Sequence, residues 1–298
     1  MSDSAATSTN SSSNKNPDTQ RALVSIHLAS VLFGGTALFS KILPLAAVDI
    51  IFFRCWVASA TLAVILQLRG ETFALTQRRD YGIALALGCL VGLHWVTYFL
   101  SMQVSTVAIG MVSLFSYPVI TVLLEPLSEG RKPPGSDLAM GLVVLAGVAL
   151  MVPELNLGHN TTLGVALGII SAFFFAIRNI LYRHSFSRYS GSKTMLYQCL
   201  VTGLLLIPFV GSWHPSQTIH LWPQLLLLGT LFTAVPHSLL VRALRAISAK
   251  TVSLISCLQP VYGALAAAIL LSEVPSVATY CGGSLVLGAA IFETVKSR

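Results

Sequence analysis

The chain has 298 residues, a net charge of +7, 10% charged and 54% hydrophobic residues, and a mean hydropathy of +0.77. Soluble domains carry roughly a quarter charged residues, so a chain this poor in charge cannot cover itself with a water-compatible surface; a soluble enzyme, a disordered chain and a collagen-like repeat are excluded. The apolar runs are long and continuous rather than alternating, which also argues against an outer-membrane barrel, and the predicted fold class is an all-α integral membrane protein.

Residues 1–21 are rich in Ser, Thr and Asn and nearly empty of apolar side chains, which predicts a disordered tail. The apolar run after it has no small-residue cleavage site, so it reads as a membrane span and not as a signal peptide. A spanning helix needs about 20 mostly apolar residues. That rule predicts ten transmembrane helices, at 22–42, 46–68, 82–103, 105–125, 138–153, 163–183, 194–210, 222–241, 250–271 and 275–295. The fifth and seventh are the shortest, and the loops leave no room for a soluble domain.

Lysine and arginine set the orientation. With the N-terminus inside, fifteen of the eighteen fall in cytoplasmic segments, among them Arg69, Arg78 and Arg79 after the second span and Arg183, Arg188 and Lys193 after the sixth. Lys41 falls in an outer loop, and Arg54 and Arg178 lie within spans. The positive-inside rule therefore predicts a multi-pass protein of the cell inner membrane with both termini cytoplasmic. Its excess positive charge faces the anionic inner leaflet, so no nucleic-acid partner is implied. The cysteines Cys55, Cys89, Cys199, Cys257 and Cys281 are scattered through apolar runs, which indicates neither a disulfide framework nor a metal site.

The chain also repeats. The spacing from Pro118 to Gly141 recurs from Pro260 to Gly283, and VSLFS (112–116) resembles VSLIS (252–256) after a two-residue shift. Each proline falls in the fourth helix of a five-helix half. Five is odd, so the second half enters the membrane in the opposite sense to the first. Two inverted-topology five-helix repeats are an architecture of secondary transporters.

Several stretches, taken in order, resemble the EamA-like ten-helix members of the drug/metabolite transporter superfamily. They are FFRCWVASATL (52–62), SLFSYPVITVLLEPLSEG (113–130), GLVVLAGVALMV (141–152), GIISAFFFAIRNILYRH (168–184) and QPVYGALAAAILLSEVPS with GGSLVLGAAIF (259–292). The resemblance implies one repeat over 22–153 and a second over 163–295. It also implies secondary transport of a small organic metabolite, often export of an amino acid or related solute, through a central cavity lined chiefly by helices 1, 3, 4, 6, 8 and 9. Glu273 fits the family's acidic position after the helix 9 proline; in helix 4 either Glu125 or Glu129 fits.

Motifs for other chemistry are missing. No G-x-x-x-x-G-K-[ST], H-E-x-x-H or G-x-S-x-G occurs, so neither ATP use, a catalytic metal nor a nucleophile elbow is indicated. No cofactor is expected, and the partners are a small solute, the lipid bilayer and a coupling proton or ion. An intramembrane enzyme and a non-transporting sensor or assembly protein are the alternatives.

Polar groups at membrane depth are costly and usually face a cavity or a partner. Arg54 reads as a structural partner or as an anion-attracting cavity wall. Arg178, near the inner end of its helix, reads more readily as snorkelling to the cytoplasm. His94 sits mid-helix beside Trp95 and one turn from Tyr98; it is either a buried histidine bonded to a neighbouring carbonyl or a proton acceptor facing the solute. His237, close to Arg242, reads as structural. Aromatic residues Trp95, Tyr98, Phe115, Tyr117, Phe174, Tyr182 and Tyr262 fall on the helices expected to line the cavity. Pro118 and Pro260 each free a backbone carbonyl at mid-depth, and Asn179 and Gln259 could join those carbonyls in holding a polar solute. Gly88-x-x-x-Gly92 and Gly164-x-x-x-Gly168 allow close helix approach, first within the bundle and alternatively across a homodimer.

Overall fold

The computed structural model describes residues 17–152, 156–211, 219–244, 246–247 and 249–296. They form a bundle of ten helices, as the apolar runs require, because every backbone N–H and C=O inside a bilayer must be satisfied within the chain. The first half comprises α1 (Pro17–Thr36, with a further turn at Phe39–Ile42), α2 (Ala47–Leu68), α3 (Arg78–Val104), α4 (Val107–Leu114 and Tyr117–Ser128) and α5 (Gly135–Met151). The second comprises α6 (Asn160–Ser185), α7 (Gly191–Leu206), α8 (Trp222–Gly229, a wide turn at Thr230–Ala234, then Val235–Leu244), α9 (Ala249–Ser256 and Gln259–Leu271) and α10 (Val277–Lys296). Seven stretches are long and apolar enough to span a membrane; Gly135–Met151, Gln259–Leu271 and Val277–Phe292 are shorter apolar helices.

The ends differ from the sequence expectation where local chemistry intervenes. α1 starts at Pro17, five residues early, with the proline in the first turn and Asp18 behind it, both favoured at a helix start. Residues 1–16 of the expected tail lie outside the described residues. α3 starts at Arg78 because Gln77 and Asp80 form a reciprocal capping box. Thr106 caps α4 through the Ile109 N–H, and Ser190 caps α7 through the Lys193 N–H.

The largest buried cluster joins Ile50, Ile51 and Leu62 of α2 to Phe99 and Met102 of α3, Leu196 of α7 and Leu228 of α8. A second joins Val112 and Val119 of α4 to Val144 of α5, Val165 of α6 and Val286 of α10. Both clusters cross between halves. Outward, Leu142, Leu145, Ile269, Leu270 and Val277 are more than 60% exposed, a surface that suits hydrocarbon and not water.

Small residues set the closest approaches. Gly147 of α5 and Gly282 of α10 meet backbone to backbone, and Gly34 of α1 lies against the backbone of Gln259 and Gly263 of α9. Gly88 and Gly92 receive Val201 and Thr202 of α7, and Gly164 and Gly168 receive Ser105 and Ser113. All four glycines of the two G-x-x-x-G pairs therefore pack inside the bundle.

Candidate functional site

Both fourth helices of the repeats break at the same place. α4 is interrupted at Phe115–Ser116 and α9 at Cys257–Leu258, each just ahead of the proline. A proline lacks the N–H that would bond the carbonyl four residues back, so Leu114 and Ser256 lose that donor. The two breaks share the register of the prolines and not that of the VSLFS/VSLIS match. α8 solves a similar problem differently. Pro236 deprives the Phe232 carbonyl, and the Thr36 hydroxyl of α1 lies 2.8 Å from it. The backbone around Thr230–Ala234 widens to a π turn, a feature often found at functional sites. Thr233 then donates to the Leu228 carbonyl (2.7 Å) and accepts from Arg54 Nε (2.8 Å).

Between the halves lies a cavity of about 260 Å³. α1 contributes Phe33 and Thr36, α2 Arg54, and α3 Val91, His94, Trp95 and Tyr98. α4 supplies Leu114, Phe115 and Tyr117, and α6 Phe175, Arg178 and Tyr182. Gly191, Thr194 and Met195 of α7, His237 and Leu240 of α8, and Ser256 and Gln259 of α9 complete it. Of the residues singled out in the sequence, Arg54, His94, Trp95, Tyr98, Phe115, Tyr117, Arg178, Tyr182, His237 and Gln259 line this space. Pro118, Asn179, Pro260 and Tyr262 do not; the prolines shape the wall from behind, and Asn179 supports Arg178.

Arg178 departs from its expected role. Instead of snorkelling, it reaches Gln198 Oε1 of α7 with Nε and Nη2 (3.0 and 2.9 Å) and Asn179 Oδ1 with Nη1 (2.9 Å). A buried amide oxygen beside the guanidinium outcompetes a stretch to the interface. Arg54 is 3% exposed and lies 4.1 Å over the Trp95 ring, a cation–π contact of up to about 2 kcal/mol when desolvated. That magnitude offsets most of the roughly 2.5–3.5 kcal/mol that a mid-membrane arginine costs.

His94 Nδ1 lies 2.7 Å from Ser171 Oγ, and the Ser171 hydroxyl donates to the His94 carbonyl (2.9 Å). With the hydroxyl proton directed at that carbonyl, Nδ1 would carry the imidazole proton and Nε2 the free lone pair. His237 Nδ1 lies 2.7 Å from the Thr233 carbonyl, with the same result. The His94 ring stacks between Tyr98 and Phe175, at 6.0 and 4.6 Å between centroids. Phe175, and not Phe174, shares the cavity face of α6 with Arg178 and Tyr182. Phe174, four residues before Arg178, and Phe175, three before, are both its helical neighbours, so spacing alone did not separate them. Sequence reasoning also missed Thr36 and the α7 contribution of Thr194 and Met195, whose side chains carry no charge to mark them.

Polar clusters sit at the two ends of the bundle. At one end, Lys41 Nζ donates to the Ser105 carbonyl (2.8 Å) and lies 3.8 Å from Glu273 Oε1. Glu273 Oε2 accepts from the Val107 N–H at the start of α4 (2.9 Å), where a helix start favours negative charge. Ser272, in the left-handed region at φ 57°, turns the chain after α9 and places that carboxylate. Gln103 adds donations to the Ser40 and Leu45 carbonyls. At the opposite end, Glu125 Oε1 of α4 pairs with Arg183 Nη1 (3.1 Å) and His184 Nε2 (3.6 Å) at the end of α6. Glu129 pairs with Arg131 and with His184. The hydrogen bond from Arg131 holds the Glu129 carboxyl below its ordinary value. With Arg131 and Arg183 engaging the carboxylates, this cluster reads as an ion-pair network.

The sequence model of the EamA-like transporter family matches residues 20–152 and again 162–294. The chain is 27% identical over 248 residues to the pseudopaline exporter CntI of Pseudomonas aeruginosa, covering 83% of this chain and 86% of that protein. It is 22% identical to the S-adenosylmethionine uptake transporter of Rickettsia bellii, covering 82% of each. It is 23% identical to the threonine/homoserine exporter RhtA of Escherichia coli, covering 89% of this chain and 88% of that one.

Proposed function

We propose, from the premise that this chain belongs to the EamA-like transporter family, that it carries a small organic metabolite out of the cell by alternating access. An amino acid or a related solute is the expected cargo. One observation carries this reading: the two terminal clusters join equivalent parts of the repeats. Lys41 at the end of α1 meets Glu273 after α9; Arg183 and His184 at the end of α6 meet Glu125 and Glu129 of α4. In an inverted repeat α1 corresponds to α6 and α9 to α4, so each cluster is the counterpart of the other at the opposite membrane face. Two such locks around one cavity suit a molecule that opens one end while the other is held.

In this reading the cavity wall of α3 and α9 contacts the solute, and the chain sits in the inner membrane with both termini cytoplasmic. A proton or ion gradient, or the solute gradient alone, supplies the drive, and the bundle works as a monomer or a homodimer. The relatives include two exporters and one uptake transporter, and the bias of fifteen basic residues supports the cytoplasmic placement of both termini.

The test is flux from proteoliposomes loaded with a metabolite mixture, without ATP. Net release of at least one solute is expected, faster when the release face corresponds to the outer end. Gln259→Ala and His94→Ala should each lower that flux about tenfold, the factor for losing roughly 1.4 kcal/mol of solute contact, while melting behaviour stays near that of the parent protein. Unchanged flux in both variants removes these two residues from the site, and no flux of any solute removes the transport reading for this cavity.

A further inference from the structure

We propose that the cavity selects small organic anions, with Arg54 receiving a carboxylate and the aromatic wall receiving the apolar body of the solute. The proposal rests on the transport reading above and narrows its cargo.

The charge balance of the cavity points this way. Arg54 and Arg178 both line it, and among the described residues no aspartate or glutamate does. Elsewhere among the described residues Lys41, Arg131, Arg183 and Arg188 each meet a carboxylate. The two cavity arginines instead meet two amides, a hydroxyl and ring faces, and neither forms an ion pair with a described residue. Asp49 is the buried carboxylate nearest along α2, but it lies in the first turn of that helix and does not line the cavity. The enclosed space therefore carries two positive charges and no negative one.

The two arginines are not equivalent. Arg178 spends Nε, Nη1 and Nη2 on the side-chain oxygens of Gln198 and Asn179. Arg54 is fixed by a single donation, from Nε to Thr233, and by its stacking on Trp95. That leaves the Nη edge of Arg54, the fork that matches a carboxylate with two parallel hydrogen bonds. Removing bulk water from a site strengthens such a pair, and an arriving anion would also relieve the uncompensated charge. Arg178 then acts as a second, fixed positive pole that excludes cations. Trp95, Tyr98, Phe115 and Phe175 supply ring faces for an apolar or aromatic moiety. His94 and His237, with Nδ1 already engaged, leave Nε2 toward an N–H or hydroxyl of the solute.

The experiment uses the purified full-length chain in lipid nanodiscs and matched acid/amide probes: phenylacetate and phenylacetamide, indole-3-acetate and indole-3-acetamide, glutarate and glutaramide. Binding is read by the shift in melting temperature with probe concentration. In at least one pair the acid should bind about tenfold more tightly than its amide. Arg54→Gln should erase that ratio, and Arg54→Lys should restore part of it. Equal binding within every pair, tighter binding of the amides, or a ratio that survives Arg54→Gln in a folded protein overturns the proposal. Should the variants fail to fold, the wild-type ratio alone decides. Vesicle flux separates the two readings. Movement of neutral or cationic solutes but no anions ends the anion proposal and leaves transport standing; acid-selective binding without movement of any solute does the reverse.

Discussion

Replacing Gly34 with valine is expected to bring flux to background. An ideal Cβ at this position would lie 3.0 Å from the Gln259 carbonyl oxygen and 3.0 Å from the Gly263 nitrogen, and both are backbone atoms that no rotamer change can move aside. Overpacking of a well-packed seam costs about 1–3 kcal/mol. Here the strain falls on α9 within one turn of its break, where Gln259 enters the cavity wall. Gly34→Ala, which adds the Cβ without the two methyl groups, should retain a measurable fraction. Flux in proteoliposomes, normalised to protein that remains monodisperse in detergent, is the measurement. Valine at parental flux would mean that α1 and α9 do not need this contact to work.

Breaking the two end clusters should shift access in opposite directions. With Ser256→Cys placed in a chain lacking Cys55, Cys89, Cys199, Cys257 and Cys281, labelling by a membrane-impermeant maleimide added outside reports how often the outer end opens. Lys41→Ala removes the Lys41–Glu273 pair and the bond to the Ser105 carbonyl, so labelling should rise about tenfold. Glu125→Gln removes the partner of Arg183 and His184 and should lower it by a similar factor. A tenfold change corresponds to about 1.4 kcal/mol, between an exposed ion pair at up to ~1 kcal/mol and a charged hydrogen bond at ~1.5–3 kcal/mol. Changes of the same sign in both variants would show that the clusters are staples of the fold and not a matched pair of gates.

Much of the architecture could be read from hydropathy because a bilayer imposes one length on every crossing. The ten runs follow from that constraint, while the basic and neutral loops were legible through charge and the paired prolines at 118 and 260 through the internal repeat. The interruptions themselves were less legible. Pro118 and Pro260 announce the breaks in α4 and α9, but Pro236 gives no hint that α8 would widen at Thr230–Ala234 with Thr36 of another helix serving the Phe232 carbonyl. That outcome depends on a hydroxyl nearly two hundred residues away in sequence. The cavity was legible where charge or a polar ring interrupts an apolar run, as at Arg54, His94 and Gln259. It was not where every face of a helix is apolar, because a lipid-facing phenylalanine and a cavity-facing one carry the same hydropathy. Phe174 and Phe175 differ only in phase, and Arg178, four residues from one and three from the other, does not choose between them. The destination of Arg178 turned on Gln198, a neutral residue of α7 that no local pattern connects to it.

The backbone contact between Gly147 and Gly282 joins the last helix of one half to the last helix of the other, and neither glycine lines the central cavity. Together with the two apolar clusters that cross between halves, it means that neither half has a complete interior of its own. Each supplies what the other lacks, in antiparallel orientation. The molecule is thus a two-subunit complex written on one string, and neither half cut from it would keep its buried surface covered.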